Sequence, residues 1–188
     1  MNRSVIAVGA LSLALVSVAG AADAQSIIRQ NDAHPHFEIE PHALIGYGFL
    51  GGFSSFGVGG GIRFGIPIVP SGFLSGVNDS FAISVGGDFL YVPNYGPYNG
   101  LGELIGHADA QWNFFLTEKW SVFGELGVAP RFYFGNFNGL CGVLGCGSVF
   151  GDWLDFAVGA RFHFRGGAQF PTLTLRGGTA GLTVGVSF

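Results

Sequence analysis

From Phe37 to Phe188, apolar side chains recur at every second position. That is the period of a β-strand, whose successive side chains point to opposite faces, and the spacing of an amphipathic helix is missing. The alternation predicts eight strands, over residues 37–49, 56–66, 80–92, 107–116, 120–134, 153–164, 170–176 and 180–188. In the second, Phe56, Val58, Ile62, Phe64 and Ile66 share one face, and Gly57, Gly59, Gly61, Arg63 and Gly65 share the other. In the fourth, Ala108, Ala110, Trp112, Phe114 and Leu116 alternate with His107, Asp109, Gln111 and Asn113. The last sets Leu182, Val184, Val186 and Phe188 against Gly181, Thr183, Gly185 and Ser187. Short connections at 117–119 and 165–169 and long ones at 93–106 and 135–152 suit an up-and-down order with short turns at one end. The long connection 67–79 falls at the short-turn end, where the pattern explains it only as a structured excursion. Pro41 makes a regular ladder in the first strand doubtful, because proline cannot donate to it.

Composition decides what the large apolar face meets. Charged residues are 11% of the 188-residue chain, against roughly 25% in ordinary soluble domains. There are 34 glycines and 20 phenylalanines, and Lys119 is the sole lysine. A water-soluble sandwich or lipocalin-like barrel would carry many lysines and glutamates on its outer face. Here the charges share faces with Gly, Ser and Thr or lie in turns. Lipid outside and charge inside fits this distribution, and closure follows because an open edge in hydrocarbon would leave backbone groups unpaired. The expected fold is all-β: a closed, antiparallel, up-and-down transmembrane β-barrel of about eight strands. A net charge of −4 offers no footprint for nucleic acid.

The N-terminal stretch reads as a secretory signal. Arg3 precedes an apolar run from Val5 to Ala19, and Ala22-Asp23-Ala24 is a small-x-small cleavage site. The expected organisation is a cleaved signal at 1–24, a periplasmic lead-in at 25–36 and the barrel at 37–188. The signal, the alternating strands and the ending Leu182-Thr-Val-Gly-Val-Ser-Phe188 resemble the small outer-membrane barrels of the OmpA, OmpX and OmpW type. The resemblance implies residence in a bacterial outer membrane. It also implies an assembly signal at Leu182, Val184, Val186 and Phe188, read by the outer-membrane assembly machinery. It transfers no substrate.

Parity places Glu38, Glu40, Arg63, Asp88, Asp109, Glu125, Arg161, His163 and Arg176 on the inner face. In a narrow barrel they are expected to form an ion-paired network, with Glu125 and Asp88 meeting Arg63, Arg161 or Arg176. Cys141 and Cys146, in an exported chain, are expected to form a local disulfide that shapes a loop. His34, His36, Glu38, Glu40 and His42 share one parity and include metal-ligating types, but a polar lead-in into the first strand is the favoured reading. Gly46-Tyr-Gly-Phe-Leu-Gly51 matches a dinucleotide fingerprint in letters only, without the strand–turn–helix context. Trp112, Trp120, Trp153 and Tyr91 lie near strand ends, where interfacial aromatics belong.

No nucleophile–base–acid set stands out, so neither an enzyme nor a cofactor or metal is expected. The expected role is structural, or one of surface contact through the long loops. The alternative is a narrow channel or carrier for small, apolar molecules, as the resemblance to OmpW suggests. The expected partners are outer-membrane lipid and the assembly machinery, with the protein itself a monomer.

Overall fold

A computed structural model describes residues 37–50, 53–95, 98–135, 154–165 and 171–188, and these contain strands and turns without a helix. The strands are β1 (Glu38–Leu50), β2 (Phe53–Val69), β3 (Asp79–Tyr95), β4 (Tyr98–Phe115), β5 (Trp120–Val128), β6 (Arg131–Gly135), β7 (Leu154–His163), β8 (Thr172–Gly178) and β9 (Gly181–Ser187). Each pairs antiparallel with its neighbours, and β1 pairs with β9 to close the sheet. β5 and β6 both pair with β4 and count as one wall strand. The chain is therefore a closed, eight-stranded, up-and-down β-barrel.

The fifth predicted strand, 120–134, is interrupted at Ala129-Pro130, because Pro130 has no N–H to give the ladder. The register does not slip: Ala108 faces Val128 below the break, and Ile105 faces Arg131 above it. The Pro130 carbonyl accepts from Gly106 N at 2.9 Å, so half of the local pairing survives.

Pro41 is accommodated differently. The β1–β2 ladder runs unbroken from Glu38, with Pro41 opposite Ile62, so the doubt about this segment does not hold. Ile39 and Phe188 exchange both backbone hydrogen bonds. In an antiparallel ladder the next exchanging pair on that side is Pro41 with Val186. The missing donor thus weakens only the β1–β9 seam.

The expected loop at 93–106 is instead a hairpin arm. β3 and β4 stay paired to Tyr95 and Tyr98, because the inward apolar parity continues through Leu90, Val92, Leu101 and Ile105, all buried.

The excursion at 70–78 has a physical cause in Asp79. Its carboxylate accepts from Phe73 N at 3.0 Å, Leu74 N at 3.4 Å and Trp112 Nε1 at 2.8 Å. The turn therefore folds back over the outer wall, where Phe73 packs edge-on against Phe81 and Trp112. Gly72, at φ 68°, supplies the left-handed residue that this reversal needs. At the same end, Thr117 Oγ1 accepts from Lys119 N and Trp120 N, which tightens the β4–β5 turn.

Large apolar side chains cover the outside: Phe56, Val58, Phe89, Leu126, Leu154, Phe156, Val158, Leu182 and Val184 are all exposed. Among the described residues, no strand presents an exposed Asp, Glu, Lys or Arg on that face. Asp79, which has outer parity, is buried under the 70–78 turn. Polar groups fill the inside instead, so the barrel is inverted relative to a water-soluble one.

Candidate functional site

Strand parity turns every second side chain inward, many of them polar, and eight such rows converge in the lumen. Among the described residues, seven carboxylates and four arginines enter ion pairs there. Charges taken out of water need partners, and the rows are registered so that they find them.

The central layer is built on Arg176, Arg161 and Arg63. Arg176 NH1 lies 2.6 Å from Glu40 Oε1, and its Nε lies 2.9 Å from Glu125 Oε2. Arg161 NH2 sits 2.9 Å from Glu38 Oε1 and 3.7 Å from Glu40 Oε2. Arg63 reaches Asp109 at 3.3 Å, Glu125 at 3.5 Å and Asp88 at 3.8 Å. Phe123 is the apolar member of this layer: the Arg161 and Arg176 guanidinium carbons stand 4.8 and 5.2 Å from its ring centroid, a cation–π arrangement. Nearer the short-turn end, Ser121 Oγ lies 2.9 Å from His163 Nε2, and Ser187 Oγ donates to Glu40 at 3.2 Å.

Above the arginines runs a chain of imidazoles and carboxylates. His42 Nε2 is 2.8 Å from Asp88 Oδ1, His107 Nε2 is 3.1 Å from Asp88 Oδ2, and His107 Nδ1 is 2.6 Å from Asp155 Oδ2. Thr179, in the β8–β9 turn, donates to the other oxygen of Asp155. Higher still the lumen turns apolar, with Leu44, Leu90, Val92, Leu101, Ile105, Ala129 and Ala180 buried. One ion pair crosses this zone. Arg131 NH1 meets Glu103 at 2.9 Å, while its NH2 donates to the Thr179 carbonyl at 3.2 Å.

No family model matches the chain, and no curated protein matches it significantly. The lumen must therefore be interpreted from its own chemistry.

Arg63, Asp88, Asp109, Glu125, Arg161 and Arg176 all belong to the ion-paired layers, and Glu125 lies between Arg63 and Arg176. Asp88 is nearer to His42 and His107 than to Arg63. His163 lies on Ser121 and beside the Phe115 ring. Sequence reasoning passed over His42, His107 and Asp155 as network members, although all three have inward parity. It also missed Glu103, which falls in an expected loop, and Arg131, although the parity of the predicted fifth strand puts Arg131 on the inner face with Glu125. The lumenal Phe123 carried no signal beyond an aromatic between Ser121 and Glu125.

Of the first-strand metal candidates, Glu38 and Glu40 are held by arginines. His34, His36, Trp153 and the cysteine pair Cys141 and Cys146 lie outside the described residues. The Phe188 backbone closes the barrel against Ile39 through both its N–H and its carbonyl. Among the described residues, the ligand atoms of His107, Asp109 and Asp155 come within 4.8 Å of one another.

Proposed function

We propose that this protein is an integral outer-membrane barrel with a sealed lumen, which acts as an envelope component through the surfaces beyond its taller rim. The observation that carries the reading is the outer wall: exposed Phe, Leu, Val and Ile without a charged side chain among the described strands. In water such a surface far exceeds the apolar patches that monomers tolerate. In lipid it is the ordinary outer band of a barrel.

The lumen supports a structural role over a channel. An eight-stranded interior is just wide enough for side chains to fill. Here guanidinium–carboxylate layers, Phe123 and an apolar zone occupy it. The hairpin arm of β3 and β4 rises above the short β8–β9 turn and supplies the surface on which contacts would be made.

One preparation tests both parts. Refolded into lipid vesicles, the protein should stay with the vesicles after alkaline washing and run faster on a denaturing gel before boiling than after. In a planar bilayer it should give no steady conductance. Recovery in the aqueous fraction would overturn the membrane assignment, and stable unit conductance would overturn the sealed lumen.

A further inference from the structure

Three carboxylates crowd one imidazole in the upper lumen, and Arg63 is the one arginine paired with any of them among the described residues. We propose that His107, Asp109 and Asp155 bind one divalent first-row transition-metal cation inside the barrel. This goes beyond the envelope role and depends only on lumen geometry.

The strand register builds the cradle. Asp109 on β4 and Asp155 on β7 both face Gly127 on β5, one from each side. A Cβ at position 127 would collide with the Ala108 carbonyl and with Asp109 Oδ1, so glycine is what fits beside the Asp109 carboxylate. His107, two residues from Asp109 on the same face, lies beside both carboxylates.

The distances suit a small ion. His107 Nδ1 lies 2.6 Å from Asp155 Oδ2 and 3.9 Å from Asp109 Oδ2. Donors held at about 2.0–2.2 Å by a tetrahedral ion stand roughly 3.3–3.6 Å apart. One contact must open and the other close, each by less than about 1 Å, which side-chain rotation supplies.

The surroundings are those of a metal ligand set. A metal-bound imidazole usually gives its second N–H to a carboxylate, which fixes the ring. Here Asp88 Oδ2 takes His107 Nε2 at 3.1 Å, and Asp88 Oδ1 is held in turn by His42. Asp155 is oriented by Thr179. Asp109 Oδ2 accepts from Arg63 at 3.3 Å, while Oδ1 is buried and makes no hydrogen bond, so the carboxylate can keep Arg63 on one oxygen and turn the other to the ion. Mixed imidazole and carboxylate ligation favours zinc-like ions over calcium or magnesium.

The test uses zinc as the probe. Tag-free full chain carrying Cys141→Ser, Cys146→Ser, His34→Ala and His36→Ala, to remove competing donors, is refolded into detergent micelles with and without zinc, then freed of unbound metal. Elemental analysis should find one zinc per folded chain, and the zinc-loaded form should melt higher. His107→Gln and Asp155→Asn, each folded as judged by the heat-dependent gel shift, should bind at least tenfold more weakly. Loaded with cobalt instead, the parent chain should show visible ligand-field bands. Those bands decide the matter if a variant does not fold. A folded parent chain with little bound zinc and no cobalt bands would overturn the proposal, as would unchanged zinc content in both folded variants.

Discussion

Replacing Arg176 with methionine should lower the unfolding free energy of the barrel by about 3–5 kcal/mol, the cost of breaking a buried pair from one side. Arg176 is almost fully buried, and it joins Glu40 on β1 to Glu125 on β5 across the lumen. Methionine fills much of the same volume, but it leaves two carboxylates facing each other without the cation between them. Its loss also removes one of the two guanidinium faces on Phe123. Adding Glu125→Gln to the methionine variant should recover part of the loss, because one of the two carboxylates left short of its nearest cation is then neutral, while Arg63 and Arg161 still stand 3.5 and 3.7 Å from Glu125 and Glu40 in the parent. Equilibrium unfolding in urea, followed by the far-ultraviolet signal of the barrel, measures both. A single variant within about 0.5 kcal/mol of the parent would place it with surface substitutions and remove the central layer from the stability of the fold.

Leu126→Arg should destabilise the barrel in lipid vesicles by about 2–4 kcal/mol, the cost of an arginine near the bilayer midplane on a lipid-facing strand. Leu126 is 60% exposed and sits level with Ala110 on β4 and Phe156 on β7, midway up the wall. The size of the effect discriminates. On a water-facing wall the same change touches nothing and should stay within about 0.5 kcal/mol. Glu118→Arg, in the β4–β5 turn, is the matched control and should be near neutral. Urea titration of vesicle-reconstituted protein provides the comparison.

Much of this fold is legible in the chain because a period of two is unambiguous where one face is large and the other small. Val58 with Gly59, Phe89 with Asp88, and Phe162 with Arg161 each assign a face without further information. The interior charges follow from the same parity, since a barrel has only two faces on which to put them. What parity could not supply was the third dimension. Which arginine meets which acid depends on the register between strands far apart in sequence, as with Arg176 and Glu40.

Prolines misled in both directions. Pro41 sits harmlessly in the ladder with β2, because its missing donor faces the β9 seam. Pro130 breaks a strand whose alternation otherwise runs on. The arm past Val92 was hidden by Pro93 and the glycines around it, which suggest a loop. Inward Leu90, Val92 and Leu101 keep strand parity there, but they contradict the expectation of a polar lumen. The 70–78 turn was unreadable because its organising group, Asp79, draws its donors from Phe73, Leu74 and Trp112, and the last is brought near by the register between β3 and β4, which sets Phe81 opposite Trp112.

The central claim is that lipid is the solvent of the outer wall. Single nitroxide labels at Leu126, Val158 and Val184, placed one at a time in a cysteine-free chain reconstituted in vesicles, test it most directly. The expected result is ready relaxation by oxygen and poor relaxation by a water-soluble nickel chelate at all three sites, with a label at Lys119 showing the reverse. Chelate accessibility at Leu126, Val158 and Val184 equal to that at Lys119 would contradict the claim.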